Sequence, residues 1–207
     1  MNKHTHCLVC ASQKIKPLPQ YYSKNGLVKC HNCSFVFMEN IPTTVELNAH
    51  YSKYSYATES YLSPLTIKVY NQLLDEFEPY RKTNKLLDYG CGRGAFLAVA
   101  KQRNWEVYGT EYSETAVAIC EKKGITMKAG KIDANSFSAH DFDVITSFEV
   151  IEHIYNPNED LQEIYTLLRK GGLFYCTTPN FNSLMRYYLK TAYNVIVYPE
   201  HLSYYTK

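Results

Sequence analysis

The chain has little that would commit it to a charged partner or to a membrane. It holds 22 lysines and arginines against 20 aspartates and glutamates, and no run of like charge exceeds a pair. It therefore has neither the basic arm of a nucleic-acid binder nor a polybasic lipid patch. No uninterrupted apolar stretch approaches the roughly 20 residues that a spanning helix needs. The opening "MNKHTHCLVC" also lacks the apolar run of a signal peptide. These absences predict a cytoplasmic protein with no membrane span and little affinity for nucleic acid. Repeats and low-complexity segments are missing too, so the 207 residues are expected to build one main core and a small appendage.

What is abundant is tyrosine, with 20 residues. These cluster at Tyr51, Tyr54, Tyr56 and Tyr61 and again at Tyr187, Tyr188, Tyr193 and Tyr198. Half-buried packing with the hydroxyl kept wet is the expectation for both clusters. The seven cysteines fall into two sorts. Cys91, Cys120 and Cys176 stand at unrelated spacings, whereas Cys7, Cys10, Cys30 and Cys33 form C-x2-C-x19-C-x2-C. In a reducing compartment that pattern reads as metal ligation. Each C-x2-C is a tight knuckle aiming two thiolates at one point, and two knuckles complete the tetrahedral S4 set preferred by structural Zn2+. Four cysteines leave no open position for catalysis, and His31 inside "CHNC" would be a surplus ligand.

Residues 1–42 are thus expected to form a zinc ribbon with short strands at "VKC" and "SFVFM". A Tyr-rich connector and a helix fill 43–82. That helix starts at Ser63-Pro64, presents Ile67, Tyr70, Leu74 and Phe77 on one face, and stops at Pro79. From Lys85 onward strands and helices alternate: "LLDYG", a helix over 95–103, "EVYGTEY", a helix over 113–123 ended by Gly124, then "ITMKAG". After a loop come "FDVITSF", a helix over 157–169 capped by Asn156 and ended by Gly171-Gly172, and "LFYCTT". Such alternation predicts an α/β, doubly wound and mostly parallel sheet over 83–207.

In that frame "LLDYGCGRGAFLAVA" is the first strand, turn and helix. Its glycines admit a ligand close to the backbone, and the helix N-terminus offers free N–H groups. Gly90-x-Gly92-x-x-Ala95 satisfies the loose dinucleotide fingerprint, and Glu111, about 20 residues on, stands where an acid holds ribose hydroxyls. Asp88 discriminates between ligands. An acid beside the turn would repel a pyrophosphate but suits a ligand carrying an amino group and a sulfonium.

The blocks "LLDYGCGRGAFL", "VYGTEYS", "FDVITSFEVIEHI" and "LLRKGGLFYCTTPN", in that order over residues 85–180, resemble those of class I S-adenosylmethionine-dependent methyltransferases. The zinc ribbon and Tyr-rich connector in front resemble bacterial sugar C-methyltransferases. The resemblance implies a Rossmann-like core and S-adenosylmethionine as cofactor. Methyl transfer would go to a small-molecule or sugar-type acceptor, such as a nucleotide-activated sugar. It implies that Glu111 takes the ribose hydroxyls with Tyr112 beside it. Gly90, Cys91 and Gly92 would flank the methionine part, Asp88 would act through the turn, and Phe148 would lie against the cofactor. Lys131 stands where many members have an acid near the adenine, which leaves adenine reading to the backbone of Ile132 or to Asp133. Tyr89 departs from the small apolar residue usual at that position. Three alternatives remain: a nicotinamide-dependent oxidoreductase, a non-catalytic S-adenosylmethionine-binding protein and an RNA methyltransferase.

His153, just past the fourth strand, is the candidate catalytic residue, as a general base on the acceptor. The competing role is a brace for the following turn. A metal site made by Glu149, Glu152 and His153 on one helical face matches no standard ligand pattern. Glu200 and His201, in "YPEHLSYYT", resemble the family segment that leads to the substrate side. Beyond Pro179 only 28 residues remain, fewer than the closing helix and strand pair of the family need. The expectation is therefore a core lacking its last strands, an open edge on the fifth strand, and self-association through that edge.

Overall fold

The computed structural model describes residues 2–51 and 61–206, so Tyr54, Tyr56 and the side chain of Tyr51 lie outside the described residues. In chain order the elements begin with β1 (Ile15–Pro17), α1 (Pro19–Asn25), β2 (Leu27–Cys30), β3 (Val36–Met38) and α2 (Thr44–Tyr51). There follow α3 (Pro64–Phe77), β4 (Lys85–Tyr89), α4 (Ala95–Gln102), β5 (Glu106–Glu111), α5 (Glu114–Lys122) and β6 (Thr126–Ala129). The last are β7 (Phe142–Phe148), α6 (Pro157–Leu167), β8 (Leu168–Thr177), α7 (Leu184–Leu189) and β9 (Ser203–Tyr204). No helix among the described residues is long and apolar enough to cross a membrane.

Two compact units result. Of the described residues, those up to 51, Glu149–Asn158 and those from Thr178 on form one; those from 61 to Phe148 and Glu159–Thr177 form the other.

The second unit is the α/β core. Its five strands run in the order β6-β5-β4-β7-β8, every neighbouring pair parallel. The order reverses at β4, so the carboxyl end of that strand is the topological switch point where open α/β sheets bind ligands. The core packs Leu74 of α3 and Leu97 and Ala100 of α4 with Leu86 of β4 and Val144 of β7, all fully buried. Around Phe96 the rings of Tyr70, Phe77 and Phe148 meet it at 5.2, 6.4 and 5.0 Å, mostly edge to face, the arrangement that ring quadrupoles favour.

Ser63 caps α3 by accepting from Thr66 N at 3.1 Å, and Pro64 occupies the first helical position. The buried face of α3 is Leu73, Leu74 and Phe77 with Tyr70 packed against it. Ile67, one turn earlier, misses the core and is 38% exposed.

Gly171-Gly172 does not end α6. The helix stops at Leu167 and the chain runs directly into β8, with the glycines inside a register shift against β7. The cause is Asp143. Its carboxylate accepts from Arg169 Nε at 2.5 Å and from the backbone N–H groups of Lys82 and Asn84, each at 2.7 Å. Burial alone would raise its pKa, but these donors outweigh burial and hold the carboxyl below its ordinary value. The β8 backbone comes so close that a Cβ on Gly172 would stand 3.0 Å from the Asp143 carbonyl oxygen. Among the described residues β8 pairs only with β7, so it is an edge strand.

The first unit has an antiparallel four-stranded sheet, β1-β2-β3-β9, in which β9 pairs with β3 through Val36↔Tyr204 and Phe37↔Ser203. Its core joins Tyr21, Leu27 and Met38 to Phe181, Tyr193, Ile196 and Tyr204. A cysteine-rich segment of about 40 residues is too short to hold a core alone; here the residues after Thr178 supply the missing apolar surface. Arg186, 7% exposed, fastens the two parts by donating to Tyr21 Oη at 3.2 Å and to the Phe181 carbonyl. In the second tyrosine cluster Tyr193 is buried, whereas Tyr187 and Tyr188 are exposed at 57% and 80%.

Candidate functional site

The turn after β4 has Gly90, Gly92 and Gly94 at φ of +72°, +52° and +67°, a region that costs non-glycine residues free energy. At Gly94 the packing also forbids a side chain, since a Cβ would lie 2.7 Å from Ile125 Cδ1 and 2.9 Å from Cys120 Sγ. Gly92 is the opposite case. A Cβ there would meet nothing within 4 Å, so the turn is open on that side.

Glu111, the last residue of β5, is fixed against this opening. Its Oε2 accepts from Gly92 N at 3.0 Å and its Oε1 from Ser113 N at 3.0 Å. Each oxygen keeps a second acceptor site, as a carboxylate that binds vicinal hydroxyls requires. Ser113 is held in turn by capping α5, its Oγ accepting from Ala116 N.

Asp88 is 3% exposed, and its Oδ1 accepts from Thr146 Oγ1 at 2.8 Å. Burial pushes its pKa up to about 7, with the Glu111 charge adding to the rise against the Thr146 bond. A cationic ligand near this carboxyl would relieve that cost; an anionic one would add to it.

Cys91 and Cys120 pack behind the turn, Cys120 Sγ donating to Gly92 O at 3.3 Å. The Cys120 thiol and burial both push the Cys91 thiol up, so it is an inert filler. Its space is cleared by Gly109, where a Cβ would lie 2.7 Å from Cys91 Sγ and 2.8 Å from Met127 Sδ. Gly109 was not among the candidates, although a glycine inside a strand signals this kind of close approach.

Tyr89 leaves the turn undisturbed because its ring is buried and its hydroxyl donates to Asp160. Tyr112 is 71% exposed and Ile132 fully buried. Asp133 caps a short turn through Asn135 N, and Lys131 pairs with Glu159 at 3.0 Å. Phe148 sits in the aromatic cluster at the end of β7. The core unit therefore brings Asp88, Gly90, Cys91, Gly92 and Glu111 together.

His153 belongs to the first unit. Residues 149–153 are a turn rather than a helix, and Glu149 is left-handed at φ +53°. Glu149, Glu152 and His153 consequently share no helical face. His153 Nδ1 is 2.8 Å from the Glu200 carbonyl oxygen, and its ring meets that of His201 edge-on at 4.8 Å. Burial, aided by His201, lowers the His153 pKa.

In the same unit the thiols of Cys7, Cys10, Cys30 and Cys33 lie within 4.8 Å of one another, with Cys7–Cys33 at 3.5 Å and Cys10–Cys30 at 3.6 Å. Four sulfurs at about 2.3 Å from one ion on a tetrahedron stand about 3.8 Å apart, so the four thiols could hold one. Asn32 N donates to Cys30 Sγ at 3.3 Å and Asn32 Nδ2 to Cys10 Sγ at 3.5 Å, the kind of outer contact that orients ligands.

A parallel α/β sheet with an open glycine turn at its switch point and a pinned carboxylate on the next strand defines a Rossmann-like nucleoside-binding core. The chain belongs to the methyltransferase-domain family, whose model matches residues 61–207. It is 32% identical over 111 residues to a ubiquinone biosynthesis O-methyltransferase of Roseobacter denitrificans, covering 51% of this chain and 44% of that protein. The corresponding protein of Pseudomonas entomophila is 29% identical over 105 residues, covering 47% and 45%. The chain thus spans less than half the length of these relatives. Among solved structures, a SAM-dependent methyltransferase from Thermotoga maritima matches with a TM-score of 0.52 at 21% identity, over 69% of this chain and 67% of that one. That likeness concerns the fold.

Proposed function

We propose that the protein transfers a methyl group from S-adenosylmethionine to a small-molecule or sugar-type acceptor. The observation that carries the reading is the pairing of Glu111 with the glycine turn: the carboxylate is anchored 3.0 Å from Gly92 N, where the turn is open. Asp88 adds the sign of charge. A buried carboxyl with a raised pKa suits a ligand that brings an amino group and a sulfonium, and disfavours a dinucleotide pyrophosphate. In this reading Glu111 holds the ribose hydroxyls with Tyr112 alongside, and Gly90, Cys91 and Gly92 line the methionine part. Ile132 presents its backbone to the adenine, and Phe148 borders the cofactor.

The cofactor supplies an activated methyl group; the protein's part is alignment and exclusion of water. His153 is the proposed base. Its Nδ1–H is committed to the Glu200 carbonyl, which leaves Nε2 as the atom to take a proton from the acceptor. Cys7, Cys10, Cys30 and Cys33 bind a structural zinc that fixes residues 1–42 as a ribbon, with 43–82 leading into the methyltransferase core of 83–207. The edge of β8 is the surface offered for self-association.

The test is mass spectrometry of candidate nucleotide sugars and small-molecule metabolites incubated with the protein and methyl-labelled S-adenosylmethionine. Label in an acceptor, slowed about 100-fold by His153→Ala at unchanged cofactor affinity, is the expected result. No transfer to any acceptor despite cofactor binding would reduce the protein to a binding module.

A further inference from the structure

Three side chains that lie apart in the sequence converge in the first unit. Glu152 and His153 come from the turn after β7, and His201 precedes β9. One potential ligand atom from each lies within 4.8 Å of the other two. Two hydrogen bonds tie the segments together, Leu202 N and Ser203 N both donating to the Glu152 carbonyl, at 2.7 and 3.0 Å.

The hydrogen bonds of the two rings decide which atoms face inward. His153 Nδ1 lies 2.8 Å from Glu200 O, and His201 Nδ1 lies 2.7 Å from Val195 O. A carbonyl oxygen only accepts, so both Nδ1 atoms carry the proton. In the neutral rings both Nε2 atoms therefore present lone pairs. An N–H held by a backbone carbonyl is how most metal-ligating histidines are oriented. Glu152 completes the set. It is 2% exposed, neither of its carboxylate oxygens has a hydrogen-bond partner, and Oε1 is 4.0 Å from His153 Nε2. The carboxylate is thus buried among the two imidazoles and the Thr178 side chain, with no geometric hydrogen bond of its own. Leaving such a group unsatisfied is costly.

We infer that Glu152, His153 Nε2 and His201 Nε2 form a second metal site, taking one divalent first-row transition cation of the zinc or cobalt kind. Two imidazoles and one carboxylate are a nitrogen and oxygen set that such ions accept, and three protein ligands leave at least one position for water or an oxygen-bearing small molecule. Bonds of about 2.1 Å on a tetrahedron put ligand atoms about 3.4 Å apart, so the separations of up to 4.8 Å contract when an ion binds. This site differs from the four-cysteine cluster in donor type and in having an open position. It stands independently of the methyl-transfer reading. With the ion bound, His153 Nε2 is a ligand, so proton abstraction by His153 and metal binding compete for one lone pair.

The experiment is titration of the full chain with Co2+ after its tightly held metal has been quantified by elemental analysis. The visible spectrum should show a second equivalent with weak ligand-field bands and no thiolate-to-cobalt charge transfer. Glu152→Gln and His201→Ala should each lower that affinity at least tenfold and leave the cysteine-bound metal in place. A footprint on the unmodified chain keeps the inference testable if either variant misfolds: Co2+ should protect His153 and His201 from diethylpyrocarbonate, and His6 and His31 not. A single equivalent of metal per chain, a second equivalent indifferent to both substitutions, or histidine modification unaffected by Co2+ would each overturn it.

Discussion

The four-cysteine cluster and the Glu152–His153–His201 cluster occupy the same unit but are built in opposite ways. Each C-x2-C knuckle is local: the turn Cys7–Ala11 closes through Ala11 N to Cys7 O at 3.0 Å, and the turn Cys30–Ser34 through Ser34 N to Cys30 O at 3.0 Å. Only the meeting of the two knuckles depends on chain further away, and in the proposed reading an ion bound by all four thiols enforces it. The second cluster has no local geometry of its own. It exists because β9 has joined β3 and because the Glu152 carbonyl has captured Leu202 and Ser203. In that reading the first cluster is a cause of its unit's fold and the second a product of it. The same substitution strategy should give opposite results at the two places.

The largest effect is expected at the cysteines. If the cluster holds the proposed zinc, Cys10→Ser should release it and cost several kcal/mol, because binding energy at a structural site is folding energy. The loss should extend beyond residues 1–42, since Tyr21, Leu27 and Met38 share a core with Phe181, Tyr193 and Tyr204. Near-ultraviolet circular dichroism, dominated here by tyrosine, reports that loss. A ribbon that melted while the tyrosine signal stayed intact would break the comparison.

Next in size is a change confined to the core unit. Glu111→Ala should weaken S-adenosylhomocysteine binding by about 1.5–3 kcal/mol, the worth of charge-assisted bonds to the ribose. Its effect on thermal stability should be small, because the two backbone donors it releases are at a partly exposed turn. Gly109→Ala should do the reverse. A methyl that must share space with Cys91 Sγ at 2.7 Å and Met127 Sδ at 2.8 Å destabilises the fold by about 1–3 kcal/mol, read as a lower urea midpoint. Equal effects of both substitutions on stability would contradict the assignment of Glu111 to binding and Gly109 to packing.

The smallest effect concerns pH. With its carboxyl raised to about 7 in the fold, Asp88 binds a proton between about pH 4 and 7 that the unfolded chain has released. Its contribution to stability therefore falls as pH rises through that window. Asp88→Asn keeps an acceptor for Thr146 Oγ1 and should flatten the pH dependence of the melting temperature between about pH 4 and 7. An unaltered slope would remove Asp88 as its source.

These contrasts follow how much each region depends on distant chain. Spacing alone disclosed the cysteine cluster, because two knuckles need only a few residues each. The sheet was legible in the same way: "FDVITSF" is β7 residue for residue, and Ser63-Pro64 opens α3 as its capping chemistry dictates. Gly171-Gly172 were misplaced at a helix end because their cause is a tertiary contact, the close approach of β8 to Asp143. Ile67 fell off the buried face for a similar reason, since helical period says nothing of where a neighbour begins. His201 could not be joined to Glu152 from sequence at all; no periodicity links a turn after β7 to a strand that pairs with β3.

The central claim is that the turn after β4 and Glu111 hold S-adenosylmethionine. Isothermal titration of the full chain with S-adenosylhomocysteine, and separately with NADH, tests it most directly. The account predicts one site for the adenosyl ligand, weakened by Glu111→Ala, and no measurable heat with NADH. Binding of NADH with no binding of the adenosyl ligand would contradict it.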